Sequence, residues 1–126
     1  MNIVVLIGRI LFAGIFIAAA PRHFSAEGIR HAANLGVPLA SILVPISGVM
    51  SLLGGLSVAA GYKTRLGACM IAAFLIPVTL MMHAFWKASD PVNVHTQQAM
   101  FMKNMSLLGA ALLIAYFGGR PMALGD

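Results

Sequence analysis

Acid side chains are almost missing from this chain: Glu27, Asp90 and Asp126 are the whole supply, against eight lysines and arginines. No acid falls inside any long apolar run, so at most one or two cations can be neutralised from within, and no Ser-His-acid arrangement for nucleophilic catalysis is present. Cysteine is equally scarce. Cys69 stands alone, which rules out an intrachain disulfide, a C-x-x-C redox pair or a thiol relay inside one chain. Gly-rich phosphate loops are absent. His23, His31, His83 and His95 never fall four apart, the helical spacing of a metal pair, and haem ligation needs two buried histidines where only His83 is deep. No metal or haem is expected. Charged residues are 9% of the chain and hydrophobic ones 60%, which leaves far too little polar surface for a soluble domain of this size.

The chain does contain four apolar stretches, Ile3–Ala20, Pro38–Ala60, Leu66–Phe85 and Ala99–Phe117. At about 1.5 Å rise per residue, roughly 20 residues cover a hydrocarbon core about 30 Å thick. Inside lipid the backbone N–H and C=O groups must pair within their own segment, so the spans are predicted to be helices. The fold class is therefore all-α: an integral membrane antiparallel four-helix bundle, with helices at about 3–20, 38–60, 66–86 and 98–118 in one domain covering residues 1–126. The connecting loops are too short for a core of their own. Ala18–Ala20 resemble a cleavage site, but no basic region precedes the apolar run, Arg9 interrupts it and Pro21 follows, so a retained first helix is expected. Frequent Gly and Met suit close-packed, adaptable membrane helices.

The net charge of +5 is dispersed, with no basic stripe or aromatic interleaving for a phosphate backbone, so nucleic acid is not a predicted partner. Lys63, Arg65 and Arg120 fall on one side of the membrane and Arg22, Arg30 and Lys87 on the other. The tight Gly61–Arg65 turn concentrates two of these charges, which leans towards both termini being cytoplasmic.

Within the spans the informative residues are the ones that lipid should reject. Arg9 lies about a third of the way along the first span, where an ionised group costs several kcal/mol unless it is paired, solvated or snorkelled. Two readings stand for it: a side chain reaching back to headgroups, or a guanidinium turned into the bundle as a donor to a ligand oxygen. Thr79, His83 and Trp86 share one helical stripe in the third span. Pro77 cannot donate its backbone bond and conflicts with the carbonyl of Ala73, so a kink there is expected to open space between helices. His83 can both donate and accept a hydrogen bond, which suits proton exchange with a ligand oxygen; a structural histidine beside a belt tryptophan is the competing reading. Lys103 and Asn104 follow the start of the fourth span, and antiparallel threading brings them level with His83 and Trp86. Glu27, in the first connection on the same face, is placed to fold back and pair with one cation. Buried cations that the chain cannot neutralise favour a guest with anionic or carbonyl oxygen.

Several segments together carry a family likeness. Gly8-Arg9-Ile10-Leu11, the Gly61–Gly67 turn, Pro77-Val78-Thr79 with Met82–Trp86, and Met102-Lys103-Asn104-Met105 through Gly109 resemble the DoxX family over nearly the whole chain. The first connection departs from the family pattern, carrying Ala20-Pro21-Arg22-His23 where a Gly and a Lys are common. The resemblance implies a small bacterial inner-membrane protein linked to quinone chemistry, as subunit or partner of an oxidoreductase. In that setting His83 and Lys103 are the expected catalytic pair, and Arg9, Thr79, Trp86, Asn104 and Glu27 the expected ligand contacts. The predicted cofactor is a quinone, and the predicted partners are the lipid bilayer, a redox protein and a second copy packed through the small residues Gly14 and Ala18. A non-enzymatic scaffold and a small-solute or lipid carrier are the alternatives.

Overall fold

The computed structural model describes residues 2–120 and 123–125. Five α-helices form: α1 (Asn2–Ala19), α2 (Ala26–Asn34), α3 (Ala40–Ala60), α4 (Thr64–Met82) and α5 (Pro91–Phe117), with single turns of 3-10 helix at Ala20–Phe24 and Phe85–Lys87. α1, α3, α4 and α5 are each long and apolar enough to cross a membrane, and they run up and down in alternation. The surface is inverted relative to a soluble protein. Large apolar side chains such as Leu11 (74% exposed) and Leu113 point outwards along every span, as lipid permits and water does not.

The core lies where α1, α3, α4 and α5 converge, around Phe16, Val58, Ile71, Phe74, Leu75 and Ala111. Small residues set the helix spacing. A Cβ placed on Gly54 would stand 2.9 Å from the carbonyl oxygen of Gly67, so α3 and α4 touch backbone to backbone there. The turn between them closes on Gly61, whose φ of 72° lets its own N–H and that of Tyr62 return to the Ser57 carbonyl at 3.0 and 3.1 Å. The Ser57 hydroxyl donates onward to the carbonyls of Tyr62 and Lys63. α3 packs on α1 and α4, and α4 on α5; α1 and α5 share the core around Phe16 and Ala111 but their backbones approach less closely than those of the other neighbouring spans.

Three elements differ from the sequence-based expectation. The first connection is not a plain loop: it contains α2, whose N-terminus is capped by Ser25 accepting from the Gly28 N–H at 3.0 Å. α4 stops at Met82 instead of 86. His83 takes the last helical bond, to Thr79 at 3.3 Å, and then leaves the helical region at φ −123°, ψ 43°. The stripe Thr79, His83, Trp86 therefore does not continue as one helical face. α5 begins at Pro91, about two turns before the expected start, because Pro suits the first helical position and the Asp90 carbonyl accepts from Val94 at 2.8 Å. Lys103 and Asn104 consequently lie near the middle of α5 rather than one turn in.

Candidate ligand-binding cavity

A cavity of about 460 Å³ occupies the half of the bundle nearest α2. Its apolar walls come from Phe16 of α1, Val44 and Met50 of α3, Leu75 and Met81 of α4, and Leu107 of α5, while Gly28 and Ala32 of α2 close its end. Pro77 and Ala73 both line it. This is the pair whose helical hydrogen bond proline abolishes, so the space lies where α4 is locally weakened.

His83 sits on the rim of this cavity with Nδ1 2.8 Å from Gln97 Oε1. A carbonyl oxygen only accepts, so Nδ1 carries the proton and Nε2 is left with a lone pair. His23 is held in the same way. Its Nδ1 lies 2.9 Å from Ser47 Oγ, and the Ser47 proton is committed to the Val44 carbonyl at 2.6 Å, so His23 must be the donor. His23 also packs its ring 5.5 Å from that of Phe74, which ties the 3-10 turn after α1 to the bundle. Ser51 is satisfied by the Phe16 carbonyl at 2.9 Å.

Asn104 and Lys103 both line the cavity from α5, Asn104 buried and Lys103 exposed, so the buried cation expected at position 103 is not found. Among the described residues the Lys103 ammonium reaches only the Met100 sulfur, at 3.6 Å, a weak acceptor. Asn104 is 5% exposed, and its amide makes no hydrogen bond among the described residues. An amide can offer two donors and an acceptor, and those of Asn104 are available to the cavity that it lines. Arg22 and His31 complete the polar rim, and among the described residues no Asp or Glu lines the cavity. The enclosure thus combines apolar walls, two cations, three imidazoles and an unpartnered amide.

Three of the expected residues, His83, Lys103 and Asn104, are gathered here; the other four are not. Arg9 lies at the opposite end of the bundle. It is 3% exposed, donates from Nη1 to the Val58 carbonyl at 3.4 Å, and packs against Gly61. That carbonyl belongs to the last turn of α3, the negative end of the helix dipole, which is a natural seat for a cation. The C-terminal segment crosses the same place: the Gly125 N–H donates to the Gly61 carbonyl at 2.8 Å and the Thr64 N–H to that of Gly125 at 3.4 Å. Thr79 is buried but not on the cavity wall. Trp86 is 53% exposed and stacks edgewise with Phe85 and Phe101 at 5.2 and 5.8 Å. Glu27 is on the exposed face of α2 and pairs with no cation among the described residues; the folding back expected of this connection is carried out by α2 as a whole. Sequence reasoning missed the supports of the two histidines, Ser47 and Gln97. Gln97 carried a signal, being a polar residue just before an apolar run; Ser47 looked like an ordinary small packing residue.

Residues 4–84 match the model of the DoxX family. The inner membrane protein YphA of Escherichia coli (strain K12) is 27% identical over 124 residues, covering 97% of this chain and 88% of YphA. The inner membrane protein YqjF of the same strain is 30% identical over 116 residues, covering 90% of this chain and 83% of YqjF. No solved structure matches the chain. The family match takes in His83 and ends before α5; the similarity to YphA extends across Lys103 and Asn104.

Proposed function

The chain belongs to the DoxX family of membrane proteins, and we propose that it binds a quinone or quinol in the cavity described above and serves an oxidoreductase of the bacterial inner membrane as subunit or partner. The observation that supports this reading is Asn104: an amide 5% exposed, with no hydrogen bond among the described residues, lining the same apolar cavity as Lys103 and His83. A carbonyl-bearing ring answers each of these groups. The Asn104 amide donates to one oxygen, Lys103 supports the same oxygen electrostatically, and His83 Nε2 takes a hydrogen bond from a hydroxyl or gives up a proton acquired there. Gln97 keeps that nitrogen in the accepting tautomer. Met50 and Met81 supply walls that adjust to a flat guest. A bound quinone would contribute lipid-soluble two-electron, two-proton chemistry, its electrons exchanged with the partner oxidoreductase. The same proposal sets both termini in the cytoplasm and allows a second copy to pack on Gly14 and Ala18, which are exposed on α1.

The test is purification in a mild detergent, with co-purified quinone measured by absorbance and mass spectrometry for the wild type, His83→Ala and Lys103→Ala. The wild type is expected to retain quinone and both variants to lose most of it. A quinone-free wild type whose variants fold and associate normally would instead favour a scaffold, and uptake into vesicles containing only this chain would favour a carrier.

A further inference from the structure

The seam between α1 and α5 coincides with the cavity over part of its length. On α1, Ile15 and Ala19 lie one turn apart beside the buried Phe16; both line the cavity and both are exposed. On α5, Lys103 and Leu107 lie one turn apart beside the buried stripe of Asn104 and Ala111, and they too line the cavity. Two helices that packed closely here would bury Ile15, Ala19 and Lys103; all three are exposed, while Leu107 is half-buried against the core. At the other end the seam is closed, because Gly119, just beyond α5, lies so near Arg9 that an added Cβ would stand 3.1 Å from its Nη1. The opening is therefore a slit over the α2 half of the bundle, with Asn104 and Lys103 at its inner edge.

We infer that the ligand carries a long apolar tail and reaches the cavity sideways from the lipid, through the slit between α1 and α5. A tail of that kind suits the slit: Ile15, Ala19 and Leu107 offer water no partner, Lys103 being the one polar side chain there, and an acyl or prenyl chain fits beside them without desolvation cost. The head stops where donors begin, at Asn104, Lys103 and His83. Lys103 stands at the sill, where its under-satisfied ammonium draws an oxygen-bearing head inwards. The 460 Å³ available is in the range of a head group with a short stretch of chain, so a longer tail must extend out along the seam. The identity of the head rests on the quinone reading; the route does not.

The experiment uses the full chain in phosphatidylcholine vesicles and three probes: a benzoquinone bearing a decyl tail that ends in a diazirine, the same ring without a tail, and the same tail on a neutral hydroxyl head. Binding of the quinones is followed by quenching of Trp86, the one tryptophan of the chain, and the photolabelled residues are mapped by mass spectrometry. Saturable labelling of Ile15, Ala19 or Leu107 is expected, together with at least tenfold tighter binding of the tailed ring than of the tail-less one. Ala19→Phe and, as a second block, Ile15→Trp should weaken the tailed ring at least tenfold and spare the tail-less ring, whereas Ile10→Phe, on α1 but away from the cavity, should change neither. Saturable quenching with labels on Arg22 or His31 and indifference to both blocks would overturn the lateral route and leave the quinone reading intact. Slit labelling by the hydroxyl-headed probe that no quinone displaces would uphold the route and overturn the quinone reading. Absence of saturable slit labelling by either tailed probe would overturn the route.

Discussion

Replacing a polar side chain inside a membrane by an apolar one stabilises the protein unless that side chain was holding something, and Arg9 and Asn104 fall on opposite sides of this rule. Arg9 donates into the last turn of α3 and packs against the α3–α4 turn. Arg9→Leu should therefore cost about 2–3 kcal/mol, the range for a buried hydrogen bond to a charged group, seen as earlier unfolding in a denaturing-detergent titration. The fraction that remains folded should bind ligand as the wild type does. Asn104→Leu breaks no hydrogen bond among the described residues and should leave stability no lower than that of the wild type, while lowering quinone retention at least tenfold. Wild-type retention in Asn104→Leu would remove the main support for the proposed site. Both residues stood out in the sequence because lipid penalises them. Their roles were not legible there, since one partner of Arg9 is a backbone carbonyl 49 positions away, and the depth of Asn104 depends on α5 starting at Pro91.

Helices long enough to cross a bilayer announce themselves by length and hydropathy, and all four spans were legible for that reason; the short elements answer to capping and tertiary contacts instead. α2 has nine residues, too few to form alone in water, and it exists because Ser25 caps it and Gly28 and Ala32 pack inwards. The bond from His23 to Ser47 fastens the turn leading into it. Ser47→Ala leaves the His23 N–H without that acceptor, so α2 amides should exchange hydrogen about fivefold faster, equivalent to about 1 kcal/mol of lost latching. Unchanged exchange in α2 would show that the latch carries no energy. Contact between spans is a separate matter from the spans themselves. Gly54→Val must push α3 off the Gly67 carbonyl and should destabilise the bundle by about 1–3 kcal/mol, whereas Gly14→Val, where nothing lies within 4 Å, should be nearly silent in the same titration. Sequence composition marked both glycines as packing residues and had no means of telling which one faced a neighbour.

The whole molecule presents its two polar ends with equal weight: Lys63, Arg65 and Arg120 flank the spans at the end holding both termini, and Arg22, Arg30 and Lys87 at the end holding α2. A rule that counts Lys and Arg near span ends is thus tied, and what breaks the tie is compactness. Lys63 and Arg65 share a turn of a few residues between α3 and α4, held by Gly61 and by the bonds from Ser57. Arg22, Arg30 and Lys87, by contrast, are spread over three separate elements: the 3-10 turn after α1, α2 and the 3-10 turn after α4. The proposed cytoplasmic location of the termini rests on this difference, and a tie so narrowly broken should be easy to disturb. In cells expressing the chain with a C-terminal reporter, alkaline phosphatase should be inactive and a green fluorescent protein fusion bright. Lys63→Gln combined with Arg65→Gln should produce a mixed population in which both reporters give signal. Arg30→Gln combined with Lys87→Gln moves the count the other way and should leave the orientation single. Active phosphatase on the wild-type C-terminus would reverse the orientation, and it would place the α2 end of the cavity, with Arg22 and His31 at its rim, on the cytoplasmic side.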